Sequence, residues 1–183
     1  MKNANDTLLR RLKKIGTGLI VALGIVGIAA EDKKSEFSKP VIDIGIVVRD
    51  SAASARFYTN AIGFTEVPGF PVSGELGKKI GLIDGHPVNV RVFVLGEGDL
   101  ATRIKLLSFP NVPSRSPDQD YIHSTLGIRY LTIYVNSIQR ALERLKKAGV
   151  SPIGETPVDL GGGTKIVVVR DPDGNFIELI GPE

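Results

Sequence analysis

The sequence predicts an α+β domain built from two copies of one β-α-β-β-β module, with a cleft where the copies meet. Residues 41–48 form a candidate strand, which is followed by a polar cap and a helical stretch that ends at Gly63. Residues 128–135 begin the same order again, and the second helical stretch ends at Gly149. A repeat of this size indicates two similar modules related by a pseudo-twofold axis, and cavities are common at such junctions.

Local signals place the elements of the first module. Asp50 or Ser51 caps the helix, because short polar side chains accept hydrogen bonds from the free amides at a helix start. Gly63 ends the helix, because glycine adopts the left-handed conformation at little cost. Proline and glycine at 68–87 predict a long loop, which is a candidate lid over the cleft or a partner contact. Apolar alternation predicts the remaining strands near 65–67, 88–95 and 102–109.

The second module repeats this order after a proline-rich connector at residues 110–127. Ile138, Ala141 and Leu145 recur at helical spacing, so one face of the second helix is expected to pack on a sheet. The sequence Asp-Pro-Asp-Gly-Asn at 171–175 predicts a tight turn between two strands. The strands of this module are predicted at 128–135, 152–157, 165–170 and 176–180.

Composition argues against two classes of function. The chain has a formal charge of +3, but residues 1–30 hold five basic residues and one acid, so residues 31–183 have a net charge of −1. Nucleic-acid binding is not expected, because phosphate contacts need basic residues clustered on the folded domain. The chain has no cysteine, which excludes disulfides, a thiol nucleophile and thiolate metal ligands.

The first thirty residues have the pattern of an export signal. Basic residues at 10–14 precede an apolar run at 15–30, which ends in small residues. This order is typical of a secretory signal peptide, and the run is shorter than the roughly 20 residues that span a bilayer comfortably. We therefore expect an exported protein, periplasmic or secreted. The alternative is a membrane anchor formed by an uncleaved segment 15–30. Residues 31–39 are predicted as a linker and 40–183 as the folded domain.

The folded part resembles a known superfamily. The element order, Phe57-Tyr58, Gly63-Phe64 and the ending Asp-Pro-Asp-Gly-Asn-Phe-Ile-Glu-Leu at 171–179 resemble the vicinal oxygen chelate superfamily. That group includes glyoxalase I, the extradiol dioxygenases and the fosfomycin- and bleomycin-resistance proteins. The resemblance covers about residues 40–182. It implies an incomplete eight-stranded barrel from modules at about 40–110 and 127–183, and it implies a homodimer.

The resemblance also implies four positions at which metal-binding members hold their ion. They lie on the first and last strands of each module and are occupied here by Asp43, Lys105, Tyr130 and Glu178. Only Glu178 has the ligand type that is usual in the family. Lys105 would repel a divalent ion at close range, and Tyr130 is a poor ligand unless it is ionised. We therefore expect no metal and no cofactor at this site.

These four side chains are expected to point into one cleft. Residues two apart on a strand share a face, so Arg103 and Thr132 join the predicted ligand-binding set. His86 and His123 fall in a turn and in the connector, away from the four positions, and are not expected to bind metal.

Three functions stay open from the residues alone. In the first, a small organic molecule binds in the cleft without a metal, as the resemblance to metal-free bleomycin-resistance proteins implies. In the second, the chain is a lyase or dioxygenase of the glyoxalase type, with a metal held by Asp43, Glu178 and a third ligand. A metal-free enzyme would instead use Asp43 or Glu178 as its general base. In the third, Lys105 pairs with an acid in an inert structural or interaction module. Binding of a small molecule is the leading hypothesis.

Overall fold

The structure, a computed structural model that describes residues 36–183, contains two four-stranded sheets, one from each half of the chain. The first sheet has the order β1-β4-β3-β2 and the second the order β5-β8-β7-β6. In each sheet the first strand pairs in parallel with the last, and the other pairs are antiparallel. The strands are β1 (Asp43–Val47), β2 (Thr65–Val72), β3 (Val88–Leu95), β4 (Thr102–Leu107), β5 (Tyr130–Tyr134), β6 (Val158–Gly161), β7 (Thr164–Arg170) and β8 (Phe176–Pro182). The predicted pair of β-α-β-β-β modules in an open, incomplete barrel is confirmed.

Within residues 36–183, three helices accompany the strands. Helix α1 (Ser51–Arg56) continues directly as a π-helical segment (Phe57–Ile62), α2 is Gly74–Lys79, and α3 is Ile138–Lys147. The side chain of Asp50 caps α1 by accepting from the amides of Ala52 and Ala53 at 2.9 Å. Gly63 ends the first helix with φ of 99°. This left-handed conformation is the one for which glycine was predicted there.

The predicted loop at 68–87 is wrong in its first half. Strand β2 continues to Val72, with a bulge between Val67 and Phe70, and α2 follows. The loop was predicted because prolines at 68 and 71 are usually found outside regular strands. They are tolerated because β2 is an edge strand, where an amide on the open side needs no partner.

The edge strand of the second sheet is also displaced. It lies at Val158–Gly161 rather than at residues 152–157. Extended backbone around prolines does not by itself make the hydrogen bonds of a sheet, because proline has no N–H to donate.

None of the helices in residues 36–183 has the length and apolar character that a membrane-spanning segment requires. The predicted signal peptide or anchor at 1–30 lies outside the described residues.

Both modules contribute to one hydrophobic core. Ala61 of the first helix and Ala141 and Leu145 of α3 are fully buried in it, together with side chains from β4, β7 and β8. The guanidinium of Arg144 in α3 donates from Nε to the carbonyl of Ala61 at 2.9 Å. The modules are therefore joined by their helices, and residues 37–183 form one compact unit.

A buried hydrogen bond also joins the modules. Tyr58 has no exposed surface, and its hydroxyl donates to Oδ2 of Asp171 at 2.9 Å. Burial, reinforced by the charge of Asp171, raises the pKa of Tyr58 well above its ordinary value. Asp171 also accepts from the amides of Asp173 and Asn175 and from Nδ2 of Asn175. The turn that carries the family resemblance is therefore fixed to the first helix.

We predict that Tyr58→Phe lowers the free energy of unfolding by about 1–2 kcal/mol, because it removes a buried hydrogen bond to a carboxylate. Tyr130→Phe is the matched control. Its side chain is about half exposed and its hydroxyl has no partner in the described chain, so we expect a change within about 0.5 kcal/mol. Urea unfolding of the full-length chain, followed by circular dichroism, measures both. Equal losses in the two variants would contradict the role given to Tyr58.

Candidate ligand-binding site

The first sheet brings three of the predicted site residues together. Strands β1 and β4 pair in parallel, with Asp43 opposite Arg103 and Gly45 opposite Lys105. The side chain of Lys105 reaches back along the sheet, and its Nζ lies 2.8 Å from Oδ2 of Asp43. Both side chains of this ion pair are about one third exposed, at 33% for Lys105 and 36% for Asp43. The two charges therefore compensate each other at the surface of a groove.

This ion pair favours the charged form of Asp43. The hydrogen bond from Lys105, together with the positive charges of Lys105, Arg103 and Lys39, lowers the pKa of Asp43, although partial desolvation opposes the shift. Asp43 is therefore a carboxylate throughout the neutral range. Its hydrogen-bonding capacity is already partly used by the lysine.

The second sheet carries the other predicted side chains. Thr132 lies opposite Glu178, and its hydroxyl donates to Oε2 of Glu178 at 2.6 Å. Tyr130 and Thr132 line a cavity of about 520 Å³, to which the first module contributes Ile44 and Ile104.

The two sheets do not place all the predicted residues in one cavity. Asp43, Arg103 and Lys105 line a separate groove on the first sheet. Neither cavity contains the Asp43–Lys105 pair together with the Thr132–Glu178 pair. The role of these residues in ligand binding stays a prediction.

The side chains at the implied metal positions do not fit a divalent ion. On the first sheet the only acid of the set, Asp43, is bound to an ammonium, which would repel a cation at the same place. Within residues 36–183, no three side chains of the metal-ligating acid and histidine types come together. His86 contacts Asp84 on the surface, with Nδ1 and Oδ1 2.6 Å apart, and His123 stacks on Tyr121 in the connector.

The groove on the first sheet has an apolar wall that sequence reasoning missed. We call it the β2–β3 wall; it consists of Val67, Phe70, Val92 and Val94. The groove has a volume of about 510 Å³ and includes Asp43, Arg103 and Lys105 along its other side. Cross-strand register places Val92 beside Lys105 and Val94 beside Arg103. Charged and apolar surfaces are therefore neighbours within one groove.

The bulge in β2 explains why Phe70 belongs to this wall. Val67 pairs with Val92, whereas Phe70 pairs with Val90, so three steps along β2 match two steps along β3. The extra residue returns the side chain of Phe70 to the face that Val67 occupies. A Cβ on Gly69 would lie 2.0 Å from the carbonyl oxygen of Val90, so only glycine fits at that point. A glycine inside a strand pattern is the sequence signal that could have predicted the bulge.

Two β-α-β-β-β modules that present polar side chains from the first and last strand of each define a protein of the vicinal oxygen chelate class. The sequence profile described as "Glyoxalase/Bleomycin resistance protein/Dioxygenase superfamily" matches residues 41–179, and the chain belongs to that superfamily.

Solved structures share this fold at low sequence identity. A glyoxalase family protein from Bacillus cereus is 24% identical, with a TM-score of 0.65, covering 81% of this chain and 97% of its own. A glyoxylase/bleomycin resistance protein/dioxygenase domain from Frankia sp. is also 24% identical, with a TM-score of 0.54, covering 82% and 93%. A variant of glyoxalase I from Zea mays is 18% identical, with a TM-score of 0.56, covering 75% of this chain and 43% of that one. No curated protein sequence matches the chain.

We predict that Lys105→Met raises the pKa of Asp43, because the variant removes the hydrogen bond and the nearest positive charge. Lys105→Glu should raise it further, because attraction becomes repulsion. A side-chain ¹³C NMR titration of Asp43 measures the pKa directly. The control is Lys78→Met on the exposed surface of α2, which should leave Asp43 unchanged.

The same ion pair gives a pH dependence of stability. A lowered native pKa means that the pair contributes stability above the unfolded-state pKa of about 4, and that this contribution is lost as the pH falls through the native value. Because the pair is partly exposed, we expect a contribution of only about 0.5 kcal/mol. The parent should lose this increment on acidification and Lys105→Met should not; an equal acid response in the two proteins would contradict the assignment.

Proposed function

We propose that this chain binds a small organic molecule without a metal ion. The observation that carries the proposal is the ion pair between Asp43 and Lys105, which joins two of the implied metal positions within a groove that has an apolar wall. A metal site would leave the acid free to bind the ion. Here the acid is bound to a lysine, while the groove beside it stays open to a ligand.

The groove has the composition of a small-molecule site. Such sites combine apolar walls with a few polar groups that orient the ligand, and they commonly have volumes of about 300–1,000 Å³. The β2–β3 wall supplies apolar surface, and the side chains of Arg103 and Lys105 supply donors. Burial of ligand surface against the wall favours binding by roughly 25 cal/mol per Å².

A metal-dependent lyase or dioxygenase of the glyoxalase type is the competing function. It would require Asp43 and Glu178 at one site with a third ligand. The two acids lie on different sheets, and each already accepts a hydrogen bond from another side chain, Lys105 or Thr132. This arrangement favours metal-free binding over that alternative.

Two measurements on the full-length chain test the proposal. Elemental analysis of protein purified without chelator should find far less than one zinc, iron, nickel or manganese per chain. A thermal-shift screen of aromatic acids, amides and amines should find compounds that raise the melting temperature, because a ligand at one hundred times its Kd adds about 2.7 kcal/mol to stability. Lys78→Met changes an exposed residue of α2 that does not line the groove, so its melting temperature should respond to the compounds as that of the parent does.

Each opposite result has a defined meaning. One equivalent of metal would support the enzyme of the glyoxalase type. A metal-free protein whose melting temperature no compound changes would support the inert module.

We also propose that the chain is exported through residues 1–30 and forms a homodimer. Support for the dimer comes from large apolar side chains left exposed on the two sheets, which a second copy would cover: Val47 is 60% exposed and Tyr134 is 79% exposed. Light scattering of the purified protein should give twice the mass of one chain.

The export proposal has its own test. Mass spectrometry of protein recovered outside the cytoplasm should show loss of residues 1–30; an intact, membrane-bound chain would support the anchor.

A further inference from the structure

The groove on the first sheet contains an arginine whose guanidinium makes no direct contact with an acid. Arg103 is half-buried on β4, and its guanidinium makes no hydrogen bond or ion pair with any residue of the described chain. Lys105, two residues along the same strand, is paired with Asp43. The other carboxylate that lines the groove, Glu97, makes no ion pair with Arg103 either. One of the two cations on this face therefore forms an ion pair, and the other does not.

The chemistry of this side chain points to an anion. A guanidinium carries five N–H donors in a planar fork, has no acceptor and stays charged at all accessible pH values. Its fork matches the two oxygens of a carboxylate, a sulfonate or a phosphate ester, and such charge-assisted pairs are about twice as strong as neutral hydrogen bonds. A half-buried guanidinium without a protein partner is open to this kind of ligand.

The surroundings of Arg103 add an apolar requirement. Its cross-strand neighbour on β3 is Val94, which belongs to the β2–β3 wall. The bulge at Gly69 places Phe70 in the same wall, and this residue is 45% exposed. An aromatic ring that is half exposed beside a charged groove offers a flat surface on which an apolar group can pack.

We propose that the ligand of this groove is an amphipathic anion with one charged head. The head binds the guanidinium of Arg103, and an apolar, preferably aromatic body lies against the β2–β3 wall. One charged head is expected because Lys105 is already paired with Asp43, whereas Arg103 makes no ion pair among the described residues. This inference rests on the proposed function and names the class of its ligand.

A matched pair of probes tests the inference. The probes are 2-naphthoate and 2-naphthamide, which differ in charge but share their ring system. The chain has no tryptophan, so naphthyl fluorescence can be followed without protein background from indole. We expect the full-length protein to bind naphthoate about tenfold more tightly than naphthamide, as a charge-assisted pair gives over a neutral one.

Three variants separate the contributions. Arg103→Gln should bring the two affinities close together, because it keeps a polar side chain and removes the charge. Arg140→Gln, at an exposed position on α3, is the matched control and should keep the tenfold preference. Phe70→Ala should weaken both probes by a similar factor, because it removes apolar wall and leaves the charge.

Several results would overturn the inference. Equal affinities in the parent, or a preference that survives in Arg103→Gln, would exclude Arg103 as the anion-binding group. Loss of the dimer in Arg103→Gln with unchanged probe preference would assign this residue to the interface between copies.

Failure of the inference can be told apart from failure of the proposed function. If neither naphthyl probe binds but neutral or cationic compounds raise the melting temperature, the ligand class is wrong and binding stands. If no compound in the screen binds, both are wrong.

Discussion

The candidate site depends on one constraint, the parallel pairing of the first and last strand within each module. Parallel neighbours in register present alternate side chains on the same face, so Asp43 comes to lie beside Arg103 and within reach of Lys105. The same pairing puts Thr132 against Glu178 in the second module. A shift of one residue in either register would turn these side chains toward the helices. Strand register therefore decides which polar groups can meet.

Register is held in turn by the core on the other face of the sheets. Ile104 alternates with Arg103 and Lys105 along β4 and is fully buried, as Ile177 and Leu179 are around Glu178 on β8. These apolar side chains pack with the helices of both modules in one core. Moving a charged residue into that core would cost several kcal/mol. The energy that fixes the register thus comes from buried side chains that alternate along the strands with the charged ones.

Much of this organisation could be predicted from local signals. Gly63, Asp50 and the turn at 171–175 each act within a few residues of their own position, so a single sequence reveals them. The contact between Tyr58 and Asp171 joins residues 113 positions apart and has no local signature. The bulged strand could not be predicted for another reason. Pro68 and Pro71 indicate a loop, and only the pairing with β3 shows that the segment is a strand. The four polar positions were predicted by resemblance, but the packing of the sheets decides that Asp43 and Lys105 line one cavity and Tyr130 another.

An internal ion pair changes what this part of the family's fold can do. A divalent ion polarises a carbonyl and stabilises developing negative charge as a Lewis acid. The ammonium of Lys105 carries one charge, and that charge is already compensated by Asp43 at 2.8 Å. What remains toward a ligand is hydrogen bonding, apolar contact and the guanidinium of Arg103, which makes no ion pair among the described residues. On the proposed function these interactions hold a bound molecule in place, whereas acceleration of a reaction would require interactions that strengthen in its transition state. We therefore propose binding of a small molecule, rather than metal-assisted catalysis, for the residues on this sheet.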